Sequence, residues 1–314
     1  MRPVVLAMLL AVGGPLHAQE PMSGPLVVYN AGSLARPFKD LLDAFVAVHH
    51  EVIPAQENSG SLEAARKLTE LGKIPDVIGV ADYEVIPKLL IPKFASWFVM
   101  FAKNSMVIIY TEQSTGAAEV NSQNWWRILL RPDVRTGHSN PALDPNGYRT
   151  LMIFQLAEKL YREPGLAERL NQAIPPRYIR PKEADLTALV QAGELDYSFS
   201  YASIAKSTGL RYVDLPPEID LSDPNLADWY KQAVVKVPGQ DRSGRDSVEF
   251  RGEPIVYALT IPTEAAHPAL AEAFVRFALS AEAQAILQKD GFVVIPRPLF
   301  GGLRKPPASL VSIP

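Results

Sequence analysis

Leu26-Val27-Val28-Tyr29-Asn30-Ala31-Gly32-Ser33-Leu34 is the stretch that decides the fold. A short apolar run with β-branched residues reads as a strand, and Asn30 to Ser33 reads as a turn. Pro37 suits the start of a helix, and Leu41, Leu42, Phe45 and Val46 then repeat at helical spacing. The same order recurs at once. Glu51 to Pro54 is a second strand, Asn58-Ser59-Gly60-Ser61 a second polar turn, and Leu62 to Leu71 a helix closed by Gly72. Asp76 to Asp82 is a third, buried strand. Two strand–turn–helix units with a third strand behind them predict a parallel α/β sheet. Ligands of such sheets sit at the strand-to-helix turns. For Ser33 or Ser61 alone, plain helix capping is a sufficient explanation.

Working outward, Met106 to Tyr110 is a strand and Asn124 to Leu130 a short helix. Asn140-Pro141-Ala142-Leu143-Asp144-Pro145-Asn146-Gly147-Tyr148-Arg149 has two prolines and a glycine in ten residues, so it is neither helix nor central strand. It leads into a helix from Tyr148 to Tyr161. The loop thus brings a carboxylate and several backbone N–H groups to a helix mouth, a place that holds anions or oxygen-rich ligands; a tight turn with a capping aspartate fits the local string equally well. Lys182 to Asp185 opens another helix, ended by Gly193. Asp196 to Tyr201 is a strand, Leu215 to Trp229 a proline-containing loop and Ile255 to Ile261 a strand. Two helices, about 263–279 and 281–288, precede a proline-rich tail. The economical arrangement returns the C-terminus to the first lobe, with one lobe from 25–109 plus 257–314 and a second from 110–256. The chain then crosses twice, near Tyr110 and near Tyr257, and the ligand cleft lies between the lobes.

Composition narrows the function. Residues 1–18 carry Arg2, an apolar run from Val4 to Val12, and a small residue at Ala18, the pattern of a secretory signal peptide too short to span a membrane. Without Arg2 the 31 basic residues become 30 against 34 acidic, a mature charge of about −4 that excludes phosphate-neutralising nucleic-acid binding. The chain has no cysteine, which excludes disulfides, thiolate metal sites, a cysteine nucleophile and a lipid-anchor cysteine. A soluble, exported, periplasmic protein is expected. His49, His50, His138 and His267 lack metal-ligand spacing, and Trp125-Trp126 reads as lobe packing. No Gly-x-Ser-x-Gly elbow supports a serine hydrolase. Arg149 and Arg180 could neutralise the site; the preferred reading is that they pair structurally with Asp144 and Glu183.

Four turns, at Asn30 to Ser33, Asn58 to Ser61, Ala142 to Asp144 and Lys182 to Asp185, and the strand end at Tyr201, point at one cleft. Tyr29-Asn-Ala-Gly-Ser33, Ala81-Asp82, Asn140-Pro-x-x-Asp-Pro-x-Gly-Tyr-Arg149, Arg180-Pro-Lys-Glu183, Leu195 to Ser203, Leu215-Pro-Pro and Pro254 to Pro262 run in order over nearly the whole mature chain. This pattern resembles the tungstate/molybdate-binding family among the extracellular solute-binding proteins of ABC importers. The resemblance implies a class II periplasmic-binding-protein fold, two α/β lobes about a hinge. It also implies that no cofactor is held, that the ligand is tungstate or molybdate, and that the partner of this monomer is a membrane permease.

By the same resemblance, Ser33, Ser61 with Ser59 in reserve, the N–H of Ala142 and the hydroxyl of Tyr201 donate hydrogen bonds to the oxyanion. Asp144 and Glu183 give carboxylate oxygens to the tungsten or molybdenum, expanding its four-coordination toward six. Family members often carry cysteine where this chain has Asn146, which is not among the expected ligands. Two carboxylates facing a dianion repel it by a few kcal/mol per pair at ~5 Å, and only a centre that accepts further oxygen ligands offsets this. Sulfur and phosphorus do not, so the pair also selects against sulfate and phosphate. For Glu183 alone, a solvated glutamate in the first helical turn is the plain alternative. The rival functions are a receptor for sulfate, phosphate or an organic acid, and, more remotely, an exported hydrolase.

Overall fold

The computed structural model describes residues 22–239 and 246–311. Its strands are, in chain order, β1 (Ser23–Ala31), β2 (Glu51–Ser59), β3 (Val77–Val80), β4 (Trp97–Lys103), β5 (Met106–Tyr110), β6 (Thr136–Ser139), β7 (Ile179–Arg180), β8 (Tyr197–Tyr201), β9 (Arg211–Asp214), β10 (Val234–Pro238), β11 (Ser247–Arg251), β12 (Val256–Thr260) and β13 (Val293–Gly302). One sheet has the order β13-β4-β12-β3-β1-β2, a second the order β7-β6-β8-β5-β9, and β10 with β11 forms an antiparallel ribbon.

In the first sheet β1 runs parallel to β2 and β3, as the repeated strand–turn–helix pattern predicts. The inner strands are apolar because helices cover them. The helix Ala35–Val48 turns Phe38, Leu41, Leu42 and Phe45 inward, and the helix Pro268–Ala278 meets it through Phe274, edge-on to Phe38 and Phe45. That aromatic contact holds the C-terminal part of the chain on the N-terminal lobe. β12 sits antiparallel between β3 and β4 in the same sheet. The helix Ser61–Leu71 ends at Gly72, whose φ of 63° is the left-handed cap that a glycine adopts without strain.

Three expectations are corrected. β5 pairs with β8 and β9, so it belongs to the second lobe. The first crossing is therefore Asn104-Ser105, between β4 and β5, and not near Tyr110. Asn104 is the break: it is a buried polar residue whose Nδ2 donates to Ser203 Oγ in the second lobe (2.8 Å) and to Tyr257 Oη in the first (3.4 Å). The second crossing, 252–255, lies between β11 and β12. Finally, the proline-rich tail is a strand. β13 pairs with β4 at the sheet edge, and its register shifts between Val294 and Leu299, so Pro296 and Pro298 fall in the irregular part, where no ladder hydrogen bond is needed.

The expected signal peptide, residues 1–18, lies outside the described residues. Among the described residues no helix is long and apolar enough to cross a membrane.

Candidate functional site

The lobes meet at the turns singled out in the sequence. Gly60, between β2 and the helix Ser61–Leu71, is pressed against the second lobe. A Cβ there would lie 2.2 Å from Leu143 O and 3.0 Å from Asp144 Cβ. The first amides of that helix are satisfied across the seam: Leu62 N and Glu63 N donate to Leu143 O at 3.1 and 3.2 Å. Arg66 Nη1 donates to Ala142 O at 2.7 Å. Lys182 Cβ and Ala184 N stand 3.9 Å from where a Cβ of Gly32 would be. The lobes are closed on one another.

Three hydroxyls line this seam, and each has its oxygen engaged as an acceptor. Tyr257 Oη donates to Ser33 Oγ (2.9 Å), the Ala81 N–H to Ser61 Oγ (3.0 Å), and Arg149 Nη1 to Tyr201 Oη (2.9 Å). Each hydroxyl keeps its hydrogen to donate, and among the described residues none of the three has an acceptor for it. Burial holds Tyr201 and Tyr257 protonated well above the usual phenol range. Ser59 Oγ is also buried and has no partner among the described residues.

The carboxylates come from the other lobe. Asp144 precedes the helix Pro145–Tyr161 and caps it, Oδ1 accepting from Asn146 N at 3.0 Å. Its Oδ2 accepts from Glu183 N at 3.0 Å, at the start of the helix Glu183–Gln191. One aspartate thus joins two helix N-termini, so capping and a place in the site are both met. Glu183 is 1% exposed. Its Oε1 accepts from the Ser200 hydroxyl, and Oε2 is buried with no partner among the described residues. Burial pushes Asp144 up to about 6 against the pull of its two backbone donors. It pushes Glu183 up to about 8, with the Asp144 charge adding to the rise and the Ser200 hydroxyl opposing it.

The structure brings Ser33, Ser59, Ser61, Asp144, Glu183 and Tyr201 to this seam, all 4% exposed or less. Ala142 differs. Its N–H is taken by Asn140 Oδ1 at 2.9 Å in an Asx turn, and its carbonyl by Arg66, so it has no donor to offer the cleft. Arg149 also differs from expectation: its ion pair is with Asp82 across the seam, at 3.3 Å, and not with Asp144. No ion pair joins Arg180 to Glu183 among the described residues. Among the described residues no cluster of three or more His, Cys, Asp or Glu could hold a metal ion. Sequence reading missed Tyr257 and Ser200, each an ordinary strand residue whose neighbour is set only by the fold. Trp125 packs edge-on to Phe199, as expected of a core residue.

Comparison with known proteins gives the family. Residues 26–293 match a family model described as bacterial extracellular solute-binding protein. The chain belongs to this family. A solute-binding protein of Petrotoga mobilis, described as uncharacterized, is 43% identical over 95% of this chain and 92% of its own. The molybdate/tungstate-binding protein WtpA of Pyrococcus abyssi is 34% identical over 99% and 96%, and that of Thermococcus kodakarensis 36% over 84% and 80%. Among solved structures, the periplasmic molybdate-binding protein of Azotobacter vinelandii superposes with a TM-score of 0.62 at 19% identity, covering 86% of this chain and 99% of that one. The sulfate-binding protein SubI of Mycobacterium tuberculosis gives 0.61 at 15%, covering 91% and 88%. These likenesses show the expected periplasmic-binding-protein fold with two α/β lobes. The family and its structural neighbours are binding proteins, not enzymes.

Proposed function

We propose that this solute-binding protein takes up tungstate or molybdate and presents it to the membrane permease of an ABC importer. The observation that carries the reading is Glu183: a fully buried carboxyl with one oxygen unpartnered among the described residues, tied to Asp144 through its own amide, at a seam with three hydroxyl donors. A buried unpartnered carboxylate oxygen costs free energy unless something binds it. The electron-poor centre of tungstate or molybdate accepts such an oxygen, while Ser33, Ser61 and Tyr201 donate to the oxyanion's own oxygens. The two WtpA relatives support this ligand class.

A second reading has its own support. With its carboxyl raised to about 8, Glu183 is largely protonated at neutral pH in the ligand-free state and could donate a hydrogen bond to an ordinary oxyanion such as sulfate. Calorimetric titration with tungstate, molybdate, sulfate and phosphate separates the two, with Glu183→Gln as the deciding variant. If Glu183 ligates the metal centre, wild type binds tungstate and not sulfate, and the variant binds tungstate at least tenfold more weakly, ~1.4 kcal/mol. If Glu183 only donates, glutamine replaces it without loss, and sulfate competes in wild type.

A further inference from the structure

Arg149 is 3% exposed and belongs to the second lobe, yet most of its partners lie in the first. Nη1 donates to Ala81 O at 2.8 Å and to Tyr201 Oη at 2.9 Å, and Nη2 lies 3.3 Å from Asp82 Oδ2. Its chain neighbour Tyr148 donates to the same Asp82 oxygen at 2.5 Å. Ala81 in turn gives its N–H to Ser61 Oγ. The side chain thus touches one hydroxyl of the site directly and another through a single residue, one in each lobe.

We propose that Arg149 is the positioning residue that couples ligand binding to lobe closure. By occupying the Tyr201 oxygen it turns the tyrosine hydrogen toward the cleft. By holding the Ala81 carbonyl it fixes the residue whose own N–H does the same for Ser61. Each orienting bond lies within one lobe, but the bonds from Arg149 to Ala81 and Asp82 cross the seam, so the two hydroxyls are locked to one another only when the lobes are together. The planar guanidinium can serve two acceptors from one nitrogen and a carboxylate from the next; a lysine at this place cannot. Arg149 touches no ligand in this scheme. It ties the two hydroxyl donors into one rigid arrangement on closure, and its charge, matched by Asp82, adds little net attraction for an anion.

The proposal rests on the oxyanion reading, and the test keeps the two apart. Sodium tungstate is titrated into wild type, Arg149→Lys, Tyr201→Phe and the double variant, with melting curves to verify folding. Arg149→Lys is expected to weaken tungstate at least tenfold. Because the arginine acts partly through the tyrosine hydroxyl, the double variant should lose at least fivefold less than the product of the single losses. Losses that multiply would mean that Arg149 is only structural. Asp82→Asn removes the carboxylate across the seam and leaves the three hydroxyl donors in place. Since the latch forms after encounter, stopped-flow should show tungstate leaving at least tenfold faster while association changes less than threefold. An unchanged dissociation rate overturns the latch, and this measurement decides the matter if Arg149→Lys does not fold. If wild type binds no tungstate, the oxyanion reading fails and the latch falls with it; if wild type binds and the variants match it, only the latch fails.

Discussion

Glu183 shows what a single side chain in this seam is asked to do. Its carboxyl is raised from an ordinary value near 4.5 to about 8, so folded protein without ligand binds a proton there that the unfolded chain releases. The raised value favours the folded state fully below pH ~4.5, and that advantage disappears as pH climbs through about 8. Asp144, lifted from 3.8 to about 6, adds the same sign over the lower part of this window. Thermal melts of ligand-free Glu183→Gln against wild type should therefore diverge with pH: near-equal at pH 5, and the variant higher by about 3 °C or more at pH 8.5. A difference that does not change with pH would mean that Glu183 is not held in the environment described. The residue types here were readable from the sequence, since the turns carry Ser, Asp and Glu where a cleft needs them. Their engagement was not. Nothing local says that Asn140 takes the Ala142 amide, or that Arg149 prefers Asp82, because those partners are set by how the lobes meet.

Among the elements, the turn after β2 leaves no room for a side chain against the second lobe. Gly60 has φ −64° and ψ 147°, backbone values that alanine adopts freely, so Gly60→Ala should leave the melting temperature of the lobe nearly unchanged. The added methyl would meet Leu143 O at 2.2 Å and keep the lobes apart. Tungstate affinity in calorimetry is expected to fall by at least a hundredfold; wild-type affinity in that variant would mean that closure is not needed for binding. The strand-forming elements show why parts of the fold escaped the sequence. β1, β2 and β3 follow the apolar-strand, polar-turn pattern of parallel sheets, and they were found. β4, from Trp97 to Lys103, is a near-continuous apolar run whose periodicity does not separate a strand from a buried helix, and β13 contains two prolines tolerated only because it is an edge with a displaced register.

At the scale of the whole molecule, two linkers carry all the covalent connection between the lobes, at Asn104-Ser105 and at 252–255. They leave neighbouring strands, β4 and β12, and so lie side by side, the arrangement of a hinge. Small-angle scattering should show a radius of gyration that decreases when tungstate is added; an identical profile with and without ligand would exclude a hinge-closing mechanism. β12 and β13 lie in the first sheet, a return of the chain that the sequence suggested because a C-terminal strand and two helices have no independent core.

The carbonyl of Leu143 has one more consequence. The hydrogens on Leu62 N and Glu63 N lie at the very start of a helix, where there is no carbonyl within the helix to receive them, and it is the opposite lobe that shields them. They can trade with deuterium from the surrounding water only while the lobes stand apart. The exchange rate of these two backbone protons is therefore a built-in clock for the opening of the protein, one that ticks whether or not a ligand is inside.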